Sequence, residues 1–131
     1  MIYLRILVDF QISSNLLDSL HCTFFLVLFN SPSVVMSKWS FRTHEEIKFT
    51  FRAPKHALTK SAWIGIIPAS ISHGSEYEND KHDKGYKYLG SATMGTLTLP
   101  NPGKGSWTVR LHDTESGTTG KELAYASFSV Y

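Results

Sequence analysis

The densest run of groups able to do chemistry is His73-Gly74-Ser75-Glu76-Tyr77-Glu78-Asn79-Asp80-Lys81-His82-Asp83. Four carboxylates, Glu76, Glu78, Asp80 and Asp83, fall within eight positions there, beside an amide and two imidazoles. Hard cations such as calcium take several carboxylate and carbonyl oxygens, and a flexible loop supplies them best. Asp113 follows a strand pattern and would approach the same end of a sandwich whose loops cluster. One reading is therefore a calcium site built from Glu76, Glu78, Asp80, Asp83 and Asp113. Its spacing lacks the glycine and the closing glutamate of the EF-hand loop. The plainer reading is a solvated charged loop in which Lys81, Lys84 and Lys87 balance the acids. On that reading no cofactor is expected.

Other chemistries fit less well. A zinc site from His73, His82 and His112 with Asp80 or Asp83 would have no cysteine ligand and no close His–His spacing. A hydrolase would set His112 and Asp113 beside Ser72, Ser75 or Ser106. The chain has no G-x-S-x-G elbow, however, and adjacent residues on a strand point to opposite faces. Gly103-Lys104-Gly105-Ser106 echoes a phosphate loop, but a strand follows where a helix should. The residues best suited to recognition are Tyr77, His82, Tyr86 and Tyr88, which lie in or beside the acidic run. Tyrosine in particular gives contact area at low entropic cost.

These residues need a frame, and the hydrophobic period from Trp39 onward is two, the mark of half-buried strands. Ile47, Phe49 and Phe51 alternate with Lys48, Thr50 and Arg52. Ala62-Trp63-Ile64-Gly65-Ile66-Ile67 is continuous and apolar, as a central strand covered on both faces must be, and Pro68 ends it. That setting makes Trp63 a packing residue and not a ligand-stacking one. Thr96-Leu97-Thr98-Leu99 forms a further strand. In another, Trp107, Val109 and Leu111 face inward against Thr108, Arg110 and His112. The last runs from Ala124 to Val130. Turn clusters at Asn101–Gly105 and Glu115–Gly120 separate them. No stretch after Met36 offers a helical period with caps. The segment between Ile71 and Tyr88 is polar and lacks a strand pattern, so a long ordered connection is expected there.

The order of these elements resembles the SKICH domain. The likeness rests on Ile47-Lys48-Phe49-Thr50-Phe51, then Ala62-Trp63-Ile64-Gly65-Ile66, then Tyr86 and Tyr88 in a polar segment. Pro102-Gly103 then leads into Trp107-Thr108-Val109-Arg110. The central SKICH strand carries Trp-Ile-Gly-Ile after an aspartate, where this chain has Ala62. Similar Trp-Ile-Gly strands occur in the immunoglobulin-like domain of purple acid phosphatases and in small bacterial and protist sandwich repeats. By order of elements the likeness covers most of residues 45–131, and its specific part is Trp63 to Ile66. It implies an all-β, immunoglobulin-like antiparallel sandwich of six to eight strands. It also implies a role in protein interaction or membrane targeting.

Length, charge and cysteine content bound the rest. At 131 residues, with 42% hydrophobic and 13% aromatic residues, the chain has room for one domain with a real core. Its net charge of +2 and the lack of a Lys/Arg stripe make nucleic acid an unexpected partner. The single cysteine, Cys22, excludes an intramolecular disulfide and fits a reducing, cytoplasmic compartment. Residues 1–35 are apolar-rich and read as an N-terminal extension outside a domain spanning 36–131. If that segment is a signal, the protein is secreted, but Asp9 and Asp18 precede its apolar core and no A-x-A-like cleavage site follows. The expected function is non-catalytic recognition of a protein or other ligand through the 71–88 segment. The alternatives are a calcium-dependent module docking on a membrane surface or carbohydrate, and a small hydrolase.

Overall fold

The computed structural model describes residues 31–131. Most of the expected extension, and Cys22 with it, lies outside the described residues. Eight strands are present among those described: β1 (Ser33–Met36), β2 (Ser40–Phe41), β3 (Ile47–Arg52), β4 (Trp63–Pro68), β5 (Tyr86–Tyr88), β6 (Met94–Leu99), β7 (Gly105–His112) and β8 (Glu122–Val130). They form a three-stranded sheet in the order β1-β3-β6 and a five-stranded sheet in the order β2-β8-β7-β4-β5.

Period-two patterning explains why these sheets close on each other. Ile47, Phe49 and Phe51 of β3 are buried while Lys48 and Thr50 are exposed. Ile64 and Ile66 of β4 meet them from the other sheet, with Trp107, Val109, Leu111, Phe128 and Val130. Each such side chain contributes roughly 1.5–3 kcal/mol when fully buried. Phe41 packs edge-on against Phe128 with ring centroids 5.6 Å apart. Strands β1-β3-β6 and β8-β7-β4 take the places of A-B-E and G-F-C in an immunoglobulin-like sandwich.

Three features depart from the sequence reading. The sandwich is not purely antiparallel, because β2 runs parallel to β8. The boundary expected at Met36 falls inside β1, which pairs with β3 from Ser33↔Arg52 to Met36↔Phe49. The compact unit runs from Pro32 to Tyr131. The 71–88 segment is also not a plain loop. It contains a helix, α1 (Glu76–His82), before it enters β5. Among the described residues no helix is long and apolar enough to cross a membrane.

Helix α1 has a local cause. Ser75 is its N-cap, and the Ser75 hydroxyl accepts from the Glu78 backbone N–H at 3.2 Å. Ser75-Glu76-Tyr77-Glu78 carries the S-x-x-E signature of a helix start. Glu76 and Glu78 sit in the first turn and Lys81 and His82 in the last, which complements the helix dipole.

Candidate functional site

Strand β4 is buried on both faces, so a second layer has to cover the side turned away from the core. Trp63, Gly65 and Ile67 lie on that side. The register places His112, Arg110 and Thr108 of β7 directly beside them. Polar residues that would face water on a half-exposed strand are therefore enclosed under α1. Thr108, Arg110 and His112 are 0–2% exposed. From the helix, Asn79 at 0% exposure reaches Arg110 and His112, and Glu76 at 2% reaches Trp63.

Trp63 anchors one end of this cluster. Its indole stacks on the His112 ring at 3.9 Å and 17°, and its Nε1–H donates to Glu76 Oε2 at 3.0 Å. The other Glu76 oxygen accepts from the Ser116 N–H at 3.3 Å. Close approach accounts for the Trp-Ile-Gly spacing. A Cβ on Gly65 would lie 2.8 Å from the Trp63 ring and 3.0 Å from the Gly85 carbonyl. The indole lies over the space that a side chain at 65 would fill. Trp63 is thus buried as expected, but between sheet and helix and outside the sandwich core.

Arg110 anchors the other end. Its Nε donates to Thr108 Oγ1 at 2.7 Å, and Nη1 donates to Asn79 Oδ1 at 2.8 Å and to the Ser72 carbonyl at 3.0 Å. Nη2 donates to the Ile71 carbonyl at 2.8 Å. One guanidinium therefore ties β7 to α1 and to the chain that leads into it. Glu122, its side chain 5% exposed, lies 3.5 Å from Nη1. Glu122 also accepts from Asn79 Nδ2 at 2.9 Å and the Gly74 N–H at 3.1 Å, and it pairs with His73 Nδ1 at 2.6 Å.

These contacts set the ionisation of the cluster. Burial works to raise Glu122, but the hydrogen bonds from His73, Asn79 and Gly74 outweigh it and hold the carboxyl below its usual range. Burial dominates at Glu76 and raises it against the Trp63 bond. Burial likewise drives His112 down, to about 4. Because Asn79 Nδ2 donates to His112 Nε2 at 2.8 Å, the neutral ring carries its proton on Nδ1. That nitrogen has no hydrogen-bond partner among the described residues.

The five carboxylates expected to bind calcium do not converge. Helix formation turns Glu76 inward onto Trp63 and leaves Asp80 exposed. Glu78 pairs with Lys81 at 3.3 Å, Asp83 accepts from the Gly85 N–H, and Asp113 accepts from the Lys121 N–H. No group of three or more His, Cys, Asp or Glu among the described residues is placed to hold a metal ion. The three histidines of the zinc reading likewise go to separate partners: His73 to Glu122, His82 to the Glu78 carbonyl and His112 to Asn79. Ser75, a nucleophile in the hydrolase reading, serves as a helix cap.

Tyr77, Tyr86 and Tyr88 are each about half exposed. Tyr86 and Tyr88 lie on β5 beside Trp63, and Tyr77 follows Glu76 on α1. The Tyr86 ring meets Trp63 edge-on at 6.1 Å and Tyr88 edge-on at 5.4 Å. The Tyr88 hydroxyl donates to Glu115 at 2.8 Å, and that bond pushes its pKa up to about 12. Lys81 lies over the Tyr77 ring at 4.9 Å. His82, half-buried, turns back onto the last turn of its own helix.

No family model matches the chain, and no curated protein sequence matches it.

Proposed function

We propose that this domain is a non-catalytic recognition module that takes a protein partner on the surface formed by Tyr77, Tyr86 and Tyr88. One observation carries the reading: Glu76 and Asn79 of the 71–88 segment are spent inward, on Trp63, Arg110, His112 and Glu122, while Tyr77, Tyr86 and Tyr88 remain outward. Burying charged groups is a weak route to stability, because desolvation offsets most of the attraction. What such a network does well is fix geometry. Here it fixes a short helix and a short edge strand so that three aromatic rings are held ready, which lowers the ordering cost of binding. The likeness to SKICH domains, as interaction modules, points the same way.

The test is affinity capture on the full chain and on a Tyr77→Ser, Tyr86→Ser, Tyr88→Ser variant whose unfolding remains cooperative. Proteins retained by the native chain are expected to be lost from the variant. An identical captured set from both would remove the tyrosine surface from consideration.

A further inference from the structure

Four strands end the two sheets: β1 and β6 in one, β2 and β5 in the other. Proteins usually blunt such edges by brevity, charge, proline or a bulge. Strand β2 has two residues, and β5 has three with a lysine at its centre. Strand β1 is uncharged but has four residues, and β6 is the longest of the four edges. It runs for six residues, Met94-Gly95-Thr96-Leu97-Thr98-Leu99, with no charge and no proline, and no strand among the described residues pairs its outer side.

Which backbone groups face outward follows from the ladder. The Ala53 N–H donates to the Thr93 carbonyl, so the opposed pair 53/93 is a hydrogen-bonded one. Alternation along an antiparallel pair then directs the backbone groups of Gly95, Leu97 and Leu99 toward β3 and those of Met94, Thr96 and Thr98 away from it. The far side of β3 agrees, since the Lys48 carbonyl accepts from Ser37 on the β1 side. The open edge therefore presents three N–H/C=O sets in a row.

We propose that β6 pairs with β6 of a second copy of this chain, antiparallel about a two-fold axis at Thr96. That register sets Thr96 opposite Thr96 and Met94 opposite Thr98, each pair exchanging two backbone hydrogen bonds. A two-fold axis at Gly95 or at Leu97 would leave an outward set of β6 facing Ala92 or Pro100, beyond the strand end. The β6 edge is thus self-complementary over its three outward sets, and the pairing brings no like charges together. The result is one continuous sheet running β1-β3-β6 into β6-β3-β1 of the second copy. This inference is independent of the tyrosine surface, which lies on the other sheet.

Thr96 lies on the solvent side and is exposed, so Thr96→Lys changes the edge without touching the core. It sets two ammonium groups opposite each other only in the dimer. Sedimentation equilibrium of the full chain should show a concentration-dependent dimer. In Thr96→Lys the dissociation constant should rise about tenfold, while the unfolding midpoint at low concentration falls by no more than a few degrees for the lost Thr50–Thr96 bond. Met94→Lys, on the same face and 56% exposed, should act in the same direction. A native chain that stays monomeric at all concentrations would overturn the proposal. So would a dimer that both lysine variants leave intact.

Discussion

Replacing Arg110 with methionine is expected to cost about 3–5 kcal/mol of stability, the largest loss of any single change outside the sandwich core. Methionine keeps most of the volume, so packing is not the main loss. The guanidinium is fully buried and spends its nitrogens on Thr108, Asn79, Glu122 and the carbonyls of Ser72 and Ile71. Without it the buried Glu122 carboxylate loses the guanidinium, and the carbonyls of Pro68, Ile71 and Ser72 lose their donor. For a domain near 100 residues the midpoint of thermal unfolding should fall by more than about 10 °C. Adding Glu122→Gln to Arg110→Met should recover part of the loss, since both charges are then gone. A midpoint within a few degrees of native would mean that the cluster holds nothing in place.

The second large effect is on pH. His112 titrates near 6.5 when unfolded and near 4 in the fold, where burial keeps it neutral. Between those values the unfolded chain binds a proton that the folded one refuses. Stability from this group is therefore complete above about pH 6.5 and falls as pH drops toward 4, by about 3 kcal/mol in total. Glu122 has a lowered pKa and loses its share as well, but only as pH passes below its unfolded value near 4.5. Urea unfolding of the native chain and of His112→Phe, from pH 7 to pH 4, separates the two. Phenylalanine keeps a ring against Trp63 and should flatten the slope between pH 6.5 and 4.5. An unchanged slope would assign the acid loss to other groups.

The sandwich was legible because its strands follow a strict period of two. Trp107, Val109 and Leu111 face inward as the alternation requires, and β3, β4, β6 and β8 lie where the apolar pattern puts them. The cluster under α1 was not legible by the same rule. Alternation assigns Arg110 and His112 to water, because a period of two cannot tell solvent from a covering helix. Two signals did exist. An apolar strand such as Trp63–Ile67 needs cover on both faces, and the only long connection nearby is the 71–88 segment. Ser75-x-x-Glu78 marks a helix start inside that segment. Read together, they turn Glu76 and Asn79 toward the strand and break up the carboxylate set that suggested calcium. No local pattern reveals Glu122 as a partner of Arg110, because that contact depends on the bulge between Leu111 and His112 in the β7–β8 ladder.

The most direct test of the central claim is site-directed photo-crosslinking with benzoyl-phenylalanine in place of Tyr86, against the same probe in place of Val35. Val35, on the other sheet, is 61% exposed against 49% for Tyr86 and serves as a control at least as accessible. Discrete protein adducts are expected from position 86 that are absent from position 35 and disappear when Arg110→Met is added. Equal adducts from both positions, or adducts that survive loss of Arg110, would contradict the claim that the buried cluster holds a recognition surface.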